Sequence, residues 1–181
     1  RAPSYTDLLI AIVSRTLAEH PLLNARLESG RILLEDEVRL AFAVDVPDGL
    51  LVPVLRDAAR KSLREISSGT KDLIARARTR RLEPAELQGG TFTLTNLGMF
   101  AVDAFTPILS LPQCAVLGVG RIVRKPAVVG DRIVPKHVPA LNALNERLRD
   151  DWVKDVDAAV GRWNRIPEKA GIPFRFRLPH K

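Results

Sequence analysis

The ten residues TFTLTNLGMF, at positions 91–100, hold the most informative local pattern of the chain. Hydroxyl and apolar side chains alternate up to residue 96, and a glycine follows at position 98. Because successive side chains of a strand point to opposite faces, this pattern predicts a strand that ends in a glycine turn. Three hydroxyls then share one face, those of Thr91, Thr93 and Thr95. Such a face is either solvated or directs a hydroxyl at a reacting group.

The composition around this strand predicts a globular protein of one or two domains. The chain has 181 residues, of which 46% are hydrophobic and 27% charged, so it can bury a core. It contains no apolar run of 18 residues, and RAPSYTDLLI at its start lacks the apolar core of a secretory signal, so we expect no membrane association. Cys114 is the only cysteine, which excludes a disulfide framework and favours a reducing, cytoplasmic location.

The positive charge of the chain permits acidic partners but does not select one. The net charge is +7, and the densest basic run is RARTRR at residues 76–81. This run ends a predicted helix, where the helix dipole favours cations. Aromatic residues make up 5% of the chain and none interleaves with these arginines, so we interpret the run as a solvated helix end and expect no nucleic-acid partner.

The remaining pattern up to residue 134 predicts an α/β domain. Capping signals at Ser4 and Ser62 each precede a helix. VRLAFAVDV and LLVPVLRDA read as a hairpin around the turn PDG, CAVLGVGRI reads as a buried strand, and AVVGDRIV reads as a second hairpin. Alternation predicts a core formed by Leu40, Phe42, Val44, Phe92, Leu94, Val116, Leu117 and Val119.

The character of the sequence changes near residues 135–138. We therefore divide the chain into a domain at 1–135 and a helix-rich tail at 136–181. The tail shows a helical apolar stripe from about residue 139 to residue 163, which includes Trp152 and Trp163. We expect this helix to pack poorly on the sheet of the preceding domain.

A family resemblance rests on six motifs between residues 4 and 134. They are SYTDLLIAIVSRTLAEHPLLNARL, VPDGLLVPVLRDA, KSLREI, LQGGTFTLTNLGMF, FTPIL and CAVLGVGRI. In this order and spacing they resemble the catalytic domain of the dihydrolipoamide acyltransferase component of 2-oxo acid dehydrogenase complexes. By this resemblance the chain holds the middle of such a domain.

The resemblance implies a fold, substrates and partners. The fold is a chloramphenicol-acetyltransferase-like α/β (α+β) two-layer sandwich with a mixed sheet. The substrates are coenzyme A and the lipoyl group, and no metal takes part. The assembly is a trimer-based homo-oligomer, whose partners are lipoyl domains and the other subunits of the dehydrogenase complex.

The resemblance also assigns one site residue and raises one difficulty. Thr95 matches the hydroxyl that hydrogen-bonds the tetrahedral oxyanion, while the cofactor-binding residues stay unknown. The general base of the family is a histidine in an Asp-His-Arg-x-x-Asp-Gly motif, which this sequence lacks. The three histidines, His20, His137 and His180, have none of the neighbours of that motif. We therefore expect acyl transfer to be impaired.

Residues 138–181 resemble a different family. The run LNALNE, LRDD, GRWN, EKAGIPFR and PHK is similar to the C-terminal segment of the oxygenase component of benzoyl-coenzyme A epoxidase, a di-iron protein. The iron ligands of that family lie upstream of this segment, and the chain contains no Glu-x-x-His pair. We interpret its carboxylates as the polar face of a helix and expect no metal site.

Three functions follow as alternatives. The first is an acyltransferase-family domain that transfers acyl groups between dihydrolipoamide and coenzyme A, with impaired activity. The second is a non-catalytic structural or assembly fragment of a 2-oxo acid dehydrogenase core. The third, part of a benzoyl-coenzyme A epoxidase, rests on the tail alone.

Overall fold

The computed structural model of the protein describes residues 2–129 and 131–145. Two compact units contain them. The first comprises the residues up to Thr95 together with Ile108–Val116, and the second comprises Asn96–Pro107 and the described residues from Leu117 onward. Neither long helix of the described part has the length and apolar character that a membrane crossing requires.

Both long helices lie in the first unit and begin at the predicted capping signals. Helix α1 spans Tyr5–Glu19 and α2 spans Leu63–Arg78. Ser4 and Ser62 each accept a hydrogen bond from the backbone N–H three residues later, and the acidic residue at that position accepts one in return. These paired bonds satisfy donors that a helix start otherwise leaves open.

The strands form one five-stranded sheet and two small hairpins. The sheet has the order β6-β3-β7-β8-β9, and the hairpins are β1-β2 and β4-β5. Strand β3 runs parallel to β7 and antiparallel to β6, so the sheet is mixed, as expected. In chain order the strands are β1 Ala25–Glu28, β2 Arg31–Leu34, β3 Leu40–Phe42, β4 Val44–Val46, β5 Gly49–Leu51, β6 Val54–Leu55, β7 Phe92–Asn96, β8 Ala115–Val129 and β9 Arg132–Asn145.

The predicted hairpin around PDG is present but broken in its middle. Val46 pairs with Gly49 at its tip and Leu40 pairs with Leu55 at its base. The backbone leaves the ladder at Ala43, whose N–H donates instead to the carbonyl of Leu94 at 3.0 Å. The predicted hairpin therefore consists of two short strand pairs. The pair at its base, β3 with β6, belongs to the five-stranded sheet.

The predicted core is confirmed, since every one of its members is buried. The relative exposures of this set run from 0% at Leu40 to 5% at Val44 and Phe92. Strand β7 is buried on both faces over residues 92–94. The face of β7 that carries the threonines is therefore shielded from solvent along most of the strand.

The C-terminal helix predicted from residue 139 is wrong over its first seven residues. Strand β9 continues through 139–145 as the neighbour of β8, so pairing with an adjacent strand overrides the local helical pattern. The predicted boundary near residue 135 falls inside this strand. Residues 146–181, with both tryptophans, lie outside the described residues, so the tail and its packing stay predictions.

A buried carboxylate connects the two helices. Asp7 is 2% exposed, and its oxygens accept hydrogen bonds from the Ser4 N–H at 2.7 Å and the Thr70 hydroxyl at 2.5 Å. Burial alone would raise the pKa of Asp7, but the hydrogen bonds from Thr70 and Ser4 outweigh it and hold the pKa below 3.8. The folded state thus favours the ionised carboxylate.

We expect Asp7→Asn to destabilise the protein in a pH-dependent way. Because the folded pKa is depressed, the stabilisation is present above the unfolded pKa and is lost as the pH falls through the folded pKa. Urea denaturation should show a loss of about 1.5–3 kcal/mol at pH 7 that shrinks as the pH falls below about 5. Asp45→Asn, at an exposed position of β4, is the matched control. A gap between Asp7→Asn and the parent that stays constant with pH would contradict this assignment.

Candidate functional site

The candidate site is built on the end of β7, where Thr95 lies. On one side, β3 fixes the strand through parallel register pairs that end at Phe42 with Leu94. The Leu94 carbonyl also accepts the N–H of Ala43. Thr95 follows directly and is half-buried. The hydroxyl therefore sits on a strand whose preceding residues are held by backbone bonds.

The hydroxyls of Thr91, directly before this strand, and of Thr93 and Thr95 within it differ in their hydrogen bonds. Thr91 Oγ1 accepts from the Arg39 N–H at 3.1 Å and donates to the Arg39 carbonyl at 3.3 Å. Thr93 Oγ1 donates to Gln113 Oε1 at 2.6 Å. The Thr95 hydroxyl forms no hydrogen bond with another described residue. The solvated-face interpretation is thus wrong for Thr91 and Thr93, which hold the interior together, and only Thr95 keeps a free hydroxyl.

The turn that follows Thr95 is tightly packed. Asn96 Oδ1 accepts the Gly98 N–H at 2.9 Å, and the Leu97 N–H donates to the Val119 carbonyl at 2.9 Å. A Cβ atom on Gly98 would lie 2.6 Å from the carbonyl oxygen of Gly120, so no larger residue fits without a backbone shift. The predicted glycine turn is confirmed, and its glycine is required by a close backbone approach.

The structure brings no histidine to Thr95 within the described residues. The backbone N–H of His20 caps α1 by donating to the carbonyls of Thr16 at 2.9 Å and Leu17 at 3.2 Å. His137 is exposed on β9. His180 lies outside the described residues. Within the described residues, no histidine base therefore lies beside the Thr95 hydroxyl.

The second unit contains an ion pair that the sequence does not predict. Arg121 donates to both oxygens of the Asp103 carboxylate, at 2.5 and 2.7 Å, and its own N–H donates to the Val102 carbonyl at 2.8 Å. The guanidinium hydrogen bonds lower the pKa of Asp103. The two side chains are 18 residues apart and carry no shared motif, so no local signal predicts the pair. The pair fixes the loop before Asp103 to β8.

Three of the cavities that described residues form lie in the first unit, and Thr95 lines none of these three. A cavity of about 290 Å³ is bordered by Arg39, Gly89 and Gln113. The guanidinium of Arg39 is already bonded within the protein, since it lies 2.6 Å from the Glu35 carboxylate and donates to the Gly89 carbonyl at 2.5 Å. The other two measure about 330 and 810 Å³. Among residues 2–129 and 131–145, no group of three acidic, histidine or cysteine side chains could hold a metal ion.

Comparison with known proteins places this geometry in a family. The model of the 2-oxoacid dehydrogenases acyltransferase (catalytic domain) matches residues 1–144. The dihydrolipoyllysine-residue acetyltransferase component of the pyruvate dehydrogenase complex of Zymomonas mobilis is 38% identical over 92% of this chain and 38% of its own length. The corresponding component of Corynebacterium glutamicum is 40% identical over 70% of this chain and 19% of its length. The chain thus spans well under half of these relatives.

Solved structures give the same result. The Azotobacter vinelandii dihydrolipoamide acetyltransferase, studied for the role of a serine, a histidine and an asparagine in its catalytic mechanism, superposes with a TM-score of 0.83 at 30% identity. The match covers 91% of this chain and 70% of that one. Chloramphenicol acetyltransferase superposes with a TM-score of 0.51 at 15% identity over 88% and 76% of the two chains, which confirms the predicted fold.

Proposed function

Since the chain belongs to the 2-oxoacid dehydrogenase acyltransferase family, we propose that it carries the oxyanion-stabilising part of an acyl-transfer site, with Thr95 as the hydrogen-bond donor. The observation that carries this proposal is the difference among Thr91, Thr93 and Thr95, the three threonines at and within β7. The hydroxyls of Thr91 and Thr93 are hydrogen-bonded to Arg39 and Gln113, whereas the Thr95 hydroxyl forms no hydrogen bond with another described residue. The reaction we propose for the family site is acyl transfer between dihydrolipoamide and coenzyme A.

The chemistry of that reaction needs a donor of this kind. A thiol attacks the carbonyl carbon of a thioester, the carbonyl oxygen becomes an oxyanion, and the second thiolate leaves when the tetrahedral intermediate collapses. A hydroxyl fixed near the developing negative charge stabilises it more than it stabilises the substrate carbonyl. Loss of one such donor commonly lowers the rate about 100- to 1000-fold. The packed turn after Thr95 supports a fixed position for this donor.

The other half of the chemistry is a base that removes the proton of the attacking thiol. The Azotobacter structure was studied for a serine and a histidine, which supports a pairing of a hydroxyl with an imidazole in that protein. Thr95 supplies the hydroxyl here, but the sequence has no Asp-His-Arg motif to supply the imidazole. General-base catalysis typically contributes about 100- to 10,000-fold. We therefore propose that this 181-residue chain transfers acyl groups poorly.

The assembly we propose is a trimer within a larger core that receives lipoyl domains. One solved structure that resembles the chain, at a TM-score of 0.83, is the cubic core of a pyruvate dehydrogenase multienzyme complex. In the second unit, Met99 and Phe100 expose 79% and 55% of their surface directly after the Gly98 turn. Large apolar side chains at such exposure are typical of surfaces that another subunit covers.

Acetyl transfer from acetyl-coenzyme A to dihydrolipoamide tests the site. We expect the purified chain to react close to the uncatalysed rate. Thr95→Ala should then change that rate less than about twofold, because a chain that already lacks the general base and reacts near the uncatalysed rate has little catalysis left to lose. Thr95→Ser, which keeps the hydroxyl, is the matched control. Light scattering on the same samples reports the trimer.

A family-like rate that Thr95→Ala abolishes and Thr95→Ser retains would support the Thr95 assignment and overturn the missing base. His137, exposed on β9, would then be the first residue to replace. A family-like rate that Thr95→Ala leaves unchanged would overturn the assignment of Thr95 itself.

A further inference from the structure

Strand β2 forms an outer edge of the first unit, and its apolar side chains are exposed. Its one neighbouring strand among the described residues is β1. All four of its residues are exposed, and three are large and apolar: Ile32 at 49%, Leu33 at 36% and Leu34 at 55%. Edge strands are usually protected by charged side chains, proline or a bulge, because their open backbone groups can pair with another chain. Between Arg31 and Glu35 this edge has none of these devices.

The backbone groups that β2 leaves open follow from the hydrogen bonds of β1. The Leu27 N–H and the Ala25 carbonyl each form a 3.1 Å hydrogen bond with the segment 112–114, on the side of β1 away from β2. Their register partners on β2 are Ile32 and Leu34. A pair in an antiparallel ladder either exchanges hydrogen bonds or directs the backbone groups of both residues outward. The N–H and C=O groups of Ile32 and Leu34 therefore point to the open edge, where no backbone group of a described residue binds them.

A second copy of this edge complements the first in its backbone and its apolar side chains. Two β2 strands can run antiparallel with Ile32 of one opposite Leu34 of the other. Each such pair exchanges two backbone hydrogen bonds, so four bonds satisfy every open group of both edges. The pairing also places the two side chains together on the face that they share with the fully buried Ala25. Four exposed apolar side chains would then cover one another, with Leu33 opposite its own copy at the twofold axis.

The same register brings opposite charges together at both ends of the contact. Arg31 lies opposite Glu35 of the second copy, and the twofold axis repeats this pair at the other end. Glu35 contacts Arg39 at 2.6 Å and Arg26 at 3.3 Å, through one carboxylate oxygen each. A carboxylate has about four acceptor sites, so Glu35 can accept a third cation. Backbone, apolar and charged groups therefore agree on one register.

We propose that β2 is a self-association edge, at which two copies of the chain join their β1-β2 hairpins into one four-stranded antiparallel sheet. Four backbone hydrogen bonds and four apolar side chains make a small interface, and small interfaces are typical of weak, reversible contacts. The contact does not depend on the role of Thr95 or on the trimer of the proposed function. Between trimers, a twofold contact of this kind would link one trimer to the next.

Disulfide trapping tests the contact and its register. Leu33 and its copy would form a non-hydrogen-bonded pair with Cα atoms about 4.5 Å apart, within the range that a disulfide spans. In a Cys114→Ser chain, whose introduced thiol is then the only one, we expect Leu33→Cys to give crosslinked dimers under mild oxidation. Leu50→Cys makes the same exchange at an exposed position of β5 and is the matched control. The proposal is overturned if Leu33→Cys gives no dimer, or if both variants crosslink equally.

Sedimentation velocity of variants without new thiols separates this contact from the trimer. Ile32→Lys and Leu34→Lys each place on the edge the charge that natural edge strands use against pairing. Each should weaken the association about tenfold or more, because both copies lose the burial of an apolar side chain. Leu50→Lys makes the same exchange away from the edge and should leave the assembly unchanged. Equal urea midpoints verify that the variants are folded.

The outcomes for the two assemblies are distinguishable. Loss of the trimer with retention of the Leu33→Cys crosslink would contradict the proposed function alone. A parent chain that sediments like both edge variants would overturn the self-association edge, and so would a Leu50→Lys variant that dissociates as readily as they do.

Discussion

Leu40→Ala should lower the free energy of unfolding by about 3–5 kcal/mol. Leu40 is fully buried on β3, where it pairs with Leu55 of β6 and with Phe92 of β7. Its removal leaves a cavity in the middle of the sheet that carries Thr95. Domains of this size are commonly stable by only about 5–15 kcal/mol, so the variant should be close to unfolding at physiological temperature.

Leu50→Ala makes the same chemical change at an exposed position. Leu50 lies on β5 with 63% of its surface exposed, and its replacement should change the stability by less than about 0.5 kcal/mol. Guanidinium denaturation of both variants measures the two values in one experiment. Similar losses in the two variants would mean that β3 does not occupy the core.

Gly98→Ala should destabilise the turn after Thr95 by about 1–3 kcal/mol or more, because the added methyl group meets backbone rather than a mobile side chain. Its Cβ would lie 2.6 Å from the Gly120 carbonyl oxygen and 3.0 Å from the Gly120 carbonyl carbon. One of the two backbones must then move. We expect the amide resonances of residues 96–100 to shift strongly, together with a lower midpoint of unfolding.

Gly69→Ala is the matched control for this change. Gly69 lies in α2, and a Cβ there would meet only Cδ1 of Leu55 at 2.9 Å, the flexible end of a side chain. Alanine also favours the helix over glycine by about 1 kcal/mol, so the net change should be small. A Gly98→Ala variant as stable as the Gly69→Ala variant would show that the Gly98 turn tolerates a side chain.

Local patterns in the sequence predicted much of this architecture. The capping boxes at Ser4 and Ser62, the strand at 92–96 and the turn at Gly98 each depend on residues within a few positions of one another. Alternation then identified the core correctly, because a strand that crosses a buried sheet must carry apolar side chains. The resemblance to the acyltransferase family added the fold, and it is also the source of the role that we propose for Thr95.

The features that the sequence could not predict depend on contacts between residues far apart in the chain. Thr93 is internal because it meets Gln113, 20 residues away, and Thr91 because it meets Arg39, 52 residues away. Residues 139–145 form a strand because β8 lies beside them, although their own pattern suits a helix.

The carboxylate of Asp7 has a consequence for how the first unit opens. The first turn of a helix ordinarily frays, because its amide groups lack partners and little holds them. Here the same side chain closes the start of α1 and holds Thr70 in the middle of α2. Fraying at residues 4–8 must therefore also break the hydrogen bond that joins the two helices. We expect the opening of this turn to be coupled to α2, so that the hydrogen-bonded amides of Ser4 and Asp7 exchange more slowly than those of an ordinary helix start.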